Sequence, residues 1–406
     1  MQRRDMLKML AGAPLSLGAG RLWAAPSADS TKLLVVFLRG AYDCANLLVP
    51  AVGAARDFYD ASRPTIAVPR PGQPNGALPL DGSWGLHPAF ASTLLPLFQQ
   101  QQLAFVPFAG TDDLTRSHFE TQDSIELGQA LGRGRDYRSG FLNRLAGVLG
   151  SGPLTDVSPM AFTDQLPIAL RGSAPAANMA LGAVGRQGID EGQSQAIEAM
   201  YRNTALAQPV AEGFRVRNEV LRAIKAETDA ASRNAMTAKG FELVARRMAR
   251  LMRERFDLGF VDVGGWDTHV GQGAATGYLA NRFEELGRGV AGFADEMGEE
   301  AWRDTVVVVI SEFGRTFREN GNKGTDHGHG TVYWVLGGSL SAQAGGHVVG
   351  EQVEPSQASL FQNRDYPVLN EYRALFGGLF SRLYGLTPAQ LDRVFPGVRP
   401  KDFGLV

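Results

Sequence analysis

The sequence predicts an α/β fold built on a mostly parallel sheet, and three observations predict it. Short apolar runs rich in β-branched residues recur along the 406 residues, and such residues pack well on a pleated surface. The runs are nearly continuous instead of alternating with polar residues, which marks strands covered on both faces. Between them lie segments whose apolar positions step by three and four, as on one face of a helix. Strands alternating with helices form α/β sheets.

In chain order, "KLLVVFL" (32–38) is the first expected strand, ended by Arg39 and Gly40. "LAFVPFAG" (103–110) repeats the pattern, and "FVDVGG" (260–265), "TVVVVI" (305–310) and "TVYWVLGG" (331–338) follow. A helix is expected over 241–256, with its arginines on a solvated outer side. Another is expected over 279–297, where Leu279, Phe283, Leu286, Val290, Phe293 and Met297 share a face. Residues 370–386 read as a late helix pair packing on the sheet. The stretch 132–209 is rich in Gly, Ala, Ser and Pro and reads as an insertion or cap. No repeat or clean linker interrupts 29–406, which is expected to be a single domain.

Residues 1–28 have the layout of an export signal: Arg3 and Arg4, then Met6-Leu7-Lys8, a mild apolar stretch, and small residues near Ala24 to Ala28. The paired arginines resemble the twin-arginine signal, read by a translocase that carries folded proteins. A periplasmic or secreted location is therefore expected. No apolar run elsewhere reaches the ~20 residues of a membrane span, so no integral span is expected in the mature chain. A net charge of -2, with no basic stripe, argues against a nucleic-acid partner. The one cysteine, Cys44, excludes an internal disulfide and reads as a buried small residue.

Ligands of open α/β sheets collect at the carboxyl ends of strands. Asp43 follows the first expected strand. Thr115, Ser117 and His118 follow the second, Asp267 and His269 the third, and Glu312 the fourth. Asp326, His327 and His329 stand just before the fifth. Four of the six histidines thus fall at strand edges, with a carboxylate in every group, Glu120 and Asp123 supplying it in the second. Such a pool suits a divalent cation, because carboxylates offset its charge and neutral imidazole binds Zn²⁺, Mn²⁺ or Fe²⁺. Mg²⁺ and Ca²⁺ stay open as alternatives. Arg315 could clamp an anion or simply pair with a carboxylate. His87 and His347 lack carboxylate neighbours and read as structural or surface residues. Trp84, Trp266, Trp302 and Trp334 read as packing, with Trp266 a possible pocket wall.

The segments "FLRGAYDCANLLVP", "LHPAF", "RSHFETQD", "LPIALRG", "GGWDTH", "SEFGRT", "GTDHG" and "DYPVLNEYRALF" span nearly the whole mature chain. In order and content they resemble the bacterial family called domain of unknown function 1501, in the alkaline-phosphatase/sulfatase clan. The resemblance implies an alkaline-phosphatase-like three-layer sandwich and one or two metal ions beside a nucleophilic hydroxyl. It implies Asp43, Asp267, His269, Glu312 and His327 or His329 as ligands, Ser117 as nucleophile and Thr115 as its rival. Phe313 stands where a further histidine ligand would be, a gap that His118 could fill. The spacing of Asp267 and His269 is narrower than in the phosphatases, and no Cys-x-Pro-x-Arg sulfatase motif is present. The function this implies is metal-dependent hydrolysis of an anionic phosphate or sulfate ester. The alternatives are a non-catalytic exported binding protein on the same fold, or a phosphotransferase.

Overall fold

The computed structural model describes residues 31–131, 134–151, 157–181, 191–216 and 240–406. The expected export signal at 1–28 lies outside them. Eleven strands are described: β1 (Lys32–Leu38), β2 (Leu48–Pro50), β3 (Leu78–Pro79), β4 (Trp84–Leu86), β5 (Leu103–Gly110), β6 (Pro159–Ala161), β7 (Ala177–Asn178), β8 (Leu258–Val263), β9 (Thr305–Ser311), β10 (Thr331–Gly337) and β11 (Asn370–Glu371). Eight form the main sheet in the order β11-β5-β10-β9-β1-β8-β6-β7, and β2-β4-β3 form a small second sheet. All pairings in the main sheet are parallel except those of β10 with β5 and β9.

That single reversal decides which loops meet. The start of β10 lies at the same edge as the ends of β1, β5, β8 and β9. A loop entering β10 therefore meets the loops leaving the other four.

The apolar runs are continuous because each strand feeds two cores. Leu34, Val36 and Leu38 of β1 face one core with Val307 and Val309 of β9. Leu33, Val35 and Phe37 face the other with Val306, Val308 and Ile310. Each such side chain, fully buried, contributes about 1.5–3 kcal/mol relative to exposure. The first core is closed by the helices Phe241–Glu254 and Tyr278–Arg303, the latter interrupted at Gly298. The second is closed by Phe141–Leu149, Tyr372–Tyr384 and Pro388–Val394. The layering is the expected helix–sheet–helix sandwich.

The Gly/Ala/Pro-rich stretch differs in part from the expected cap. Within 132–209, β6 and β7 extend the main sheet in parallel beyond β8, and Phe141–Leu149 packs in the second core. Its short strands give too few residues for an apolar run to stand out. Among the described residues no helix is long and apolar enough to cross a membrane. Cys44 is buried, and burial together with Asp43 pushes its thiol up to about 12.

Candidate metal centre

Three imidazoles converge at the shared edge. His118 opens the helix His118–Leu127 directly after the loop leaving β5, with Ser117 as its N-cap. His269 lies in the loop after β8 and His327 in the loop before β10. The Nε2 atoms of His118 and His327 are 3.0 Å apart, and those of His269 and His327 are 3.2 Å apart. Asp267 completes the group: its carboxylate oxygens lie 2.8 Å from His269 Nε2, 3.4 Å from His327 Nε2 and 3.6 Å from His118 Nε2.

The other nitrogen of each ring is already committed. His118 Nδ1 lies 2.7 Å from Glu312 Oε1, His269 Nδ1 lies 3.1 Å from Asp326 Oδ1, and His327 Nδ1 lies 3.0 Å from the Arg116 carbonyl. Carboxylates and carbonyls only accept, so each Nδ1 must carry the proton and donate it. In the neutral rings the three Nε2 atoms are then bare lone pairs, those of His118 and His269 each facing that of His327. A proton could reconcile one pair of them; a cation held by His118, His327 and Asp267 reconciles that pair and the carboxylate together. A tetrahedral ion with bonds of about 2.0–2.1 Å sets its donors about 3.3 Å apart; the separations among His118, His327 and Asp267, and of His269 from the latter two, run from 2.8 to 3.6 Å. His118, Asp267 and His327 in particular form a group compact enough to hold an ion. Three nitrogens and one oxygen suit Zn²⁺, Mn²⁺ or Fe²⁺; Mg²⁺ and Ca²⁺ prefer oxygen throughout.

The outer partners are themselves fixed. Glu312 is fully buried and accepts at Oε1 from Gly40 N and Gln122 Nε2, both at 2.8 Å, and at Oε2 from Ser311 Oγ at 2.9 Å. Burial alone would raise its pKa, but the hydrogen bonds from His118, Gln122 and Gly40 outweigh it and lower the pKa. Gly40 has φ 114°, and a Cβ there would come within 2.9 Å of Asp267 N, so only glycine lets these loops meet. Arg315, buried between the loops, donates from Nη1 to Asp267 Oδ1 at 2.5 Å, and from Nη2 and Nε to Thr325. Burial pushes the Asp267 carboxyl up, yet Arg315, His269 and His118 hold it below its ordinary value. Burial of the His118 ring opposes its protonation, but Glu312 and Asp267 prevail and raise its pKa. Burial, then the charges of His118 and Arg315, lower that of His327.

The expected residues thus divide. His118, Asp267, His269 and His327 come together. Glu312 and Asp326, expected as ligands, lie one hydrogen bond further out, orienting His118 and His269. Asp43 is turned away into a buried pair with Arg63, Nη1 to Oδ2 at 2.5 Å. His329 also stands aside: it is buried, packs 5.0 Å from the Phe361 ring, and makes no side-chain hydrogen bond among the described residues. Arg315 has its donors directed at Asp267 and Thr325, which fits a carboxylate partner and not an anion clamp. Thr115 is exposed, with its hydroxyl 3.5 Å from that of Thr121. Phe313, which stands where a further histidine ligand was looked for, stacks on His118 at 4.9 Å and lies 5.3 Å from His327. Trp266 is a core residue, its indole donating to Val263 O. Gln122, Asn320 and the Arg116 carbonyl were not foreseen. Asn320 Nδ2 bonds Asp326 at 3.1 Å, and Arg116 adopts the left-handed backbone, φ 52°, that most residues avoid. No local pattern announces any of the three.

The match that places the chain covers residues 30–395, over which it fits the family described as "Protein of unknown function (DUF1501)". The chain belongs to the DUF1501 family. Among curated proteins none matches this DUF1501 chain. Solved structures similar to it include a protein in the alkaline phosphatase superfamily from Vibrio parahaemolyticus, at 11% identity and a TM-score of 0.36, covering 94% of this chain and 75% of that one. Ps i-CgsB is similar at 11% identity and a TM-score of 0.38, covering 89% of this chain and 74% of that one. Its complex with k-i-k-neocarrahexaose gives a TM-score of 0.33 at the same identity and coverage. Likeness at these values identifies no shared chemistry.

Two histidines of this DUF1501 protein set an acid limit on its fold. His87 accepts from Ala89 N at Nδ1 and faces the Ala274 carbonyl with Nε2, a neutral ring with both nitrogens used. Burial lowers the pKa of His87, and of His329, from 6.5 to about 4. The unfolded chain then binds protons first as pH falls. The stability of keeping both rings neutral is complete above pH 6.5 and is lost on the way to pH 4, about 3 kcal/mol per ring. Urea unfolding across that range should show the decline, and His87→Gln should flatten part of it. A wild-type profile level down to pH 4 would contradict it.

Proposed function

We propose that the protein is an exported metal-dependent hydrolase of phosphate or sulfate esters. The observation that carries the reading is the convergence of three histidine Nε2 atoms and Asp267, with every Nδ1 tied to an acceptor. Histidine ligands in metal sites have this arrangement, the far nitrogen donating to a carboxylate or carbonyl. The anionic-ester half of the reading draws on the family resemblance.

In this reading His118, His269, His327 and Asp267 hold the ion. When bound, a divalent cation supplies Lewis-acid polarisation of an ester oxygen. Glu312, Asp326 and the Arg116 carbonyl keep the three rings in the binding tautomer, and Arg315 fixes the Asp267 carboxylate. Phe313 excludes water from one side of the His118 ring. Ser117, adjacent to His118, is the proposed nucleophile. Its hydroxyl accepts from Glu120 N across a long 3.5 Å, and its own proton has no acceptor among the described residues. Attack would form the bond from Ser117 Oγ to phosphorus or sulfur and break that centre's bond to the leaving oxygen, which takes the serine proton and departs as the alcohol; water would then cleave the enzyme ester and restore the hydroxyl.

Aryl phosphate and aryl sulfate esters, assayed with Zn²⁺, Mn²⁺ or Fe²⁺, test it. Turnover is expected with one ester class, and Ser117→Ala should remove it while bound metal stays unchanged. Silence on every ester with metal bound would mean a binding protein instead. Transfer of the group to an added alcohol would mean a phosphotransferase. Export by the twin-arginine translocase predicts that Arg3→Lys/Arg4→Lys leaves the protein in the cytoplasm.

A further inference from the structure

We propose that the centre holds one cation only, and that the buried Arg63 guanidinium takes the place of a second. The inference rests on the metal-centre reading above and concerns Asp43, the buried carboxylate in the loop leaving β1 at the same sheet edge. Asp43 is 1% exposed and Arg63 0%. Both carboxylate oxygens are taken: Oδ1 accepts from Arg63 Nη2 at 3.0 Å, and Oδ2 accepts from Arg63 Nη1 at 2.5 Å and from Gln272 Nε2 at 2.6 Å.

Arg63 cannot easily yield that position. A guanidinium has five N–H donors, and each here has an acceptor. Nη1 serves Asp43 and Asn46 Oδ1, Nη2 serves Asp43 and the Thr316 carbonyl, and Nε serves the Phe317 carbonyl. Displacing the side chain to admit an ion would strand the two carbonyls in a dry interior. The bidentate fork already neutralises Asp43 with the geometry that suits a carboxylate best.

The same residues brace the single site. Gln272 Oε1 accepts from the hydroxyls of Thr268 and Thr325 at 3.0 and 3.1 Å. Thr325 in turn accepts from Arg315, which holds Asp267. Donors and acceptors run in one direction from Arg315 through Thr325 and Gln272 to Asp43. Asp43 and Gln272 are thus positioning residues behind the Asp267 ligand, and neither reaches the ion.

The test is titration of metal-free full-length protein with Co²⁺, followed by its visible absorption, with elemental analysis of the loaded protein. One equivalent per chain is expected, and Asp43→Asn/Arg63→Met, which removes both charges together, should still bind one. Two equivalents in the wild type, falling to one in the double variant, would overturn the inference and leave a metal centre standing. No stoichiometric binding in the wild type would instead defeat the metal reading and this inference with it. The wild-type titration decides between one and two even where the double variant is too unstable to purify.

Discussion

If the proposed metal centre is right, replacing His327 with alanine is expected to abolish stoichiometric binding of a divalent cation while leaving the protein folded. Its Nε2 lies within 3.4 Å of His118, His269 and Asp267, so it is the donor that the other three share. Its side chain is 29% exposed and makes one backbone contact, to Arg116. Ring contacts with His118, His269 and Phe313 are lost, and relief of crowding among neighbouring donors offsets part of that. Elemental analysis should find no stoichiometric metal and circular dichroism an unchanged fold. Glu312→Gln should behave differently, because Glu312 acts through His118. Loss of an outer partner costs about 10–100-fold in metal affinity and not all of it. Equal metal content in wild type and His327→Ala would remove His327 from the centre.

Arg63→Met is expected to have the largest effect on stability, about 3–5 kcal/mol, since it leaves Asp43 buried without its counter-charge. The carbonyls of Thr316 and Phe317 also lose their donors. Adding Asp43→Asn should restore much of the loss, because a neutral pair of similar volume no longer buries a lone charge. Denaturant unfolding of the two single variants and the double gives the coupling directly. Additive effects would show that the two charges do not depend on each other.

Much of the architecture was legible because it follows from burial. β1, β9 and β10 are covered on both faces, so their sequences are apolar without alternation, and their expected limits lie within a residue of those observed. The helix His118–Leu127 was not legible. Its buried side includes Thr121, Ser124 and Glu126, polar residues that erase the apolar period. Glu126 is inward because it accepts from Arg39 Nη2 and from Ala169 N, partners 87 and 43 residues away.

The site was legible as a pool and not as an arrangement. Loops at one sheet edge could be named from the strands, but a carboxylate beside a histidine reads the same whether it binds an ion or orients a ring. Glu312 and Asp326 turned out to do the second, and Asp43 to answer Arg63, which follows no strand of the main sheet. The choice between His327 and His329 rested on backbone detail. Gly328 passes so close to Arg315 that a Cβ there would meet its carbonyl at 2.5 Å, and this close passage sets His327 at the cluster and His329 against Phe361.

X-ray absorption at the metal edge of the zinc-loaded protein tests the central claim most directly. Three imidazole nitrogens and at least one oxygen at about 2.0–2.2 Å are expected, with the imidazole scattering lost in His327→Ala. A spectrum of oxygen ligands alone, or one indifferent to His327, would contradict the account.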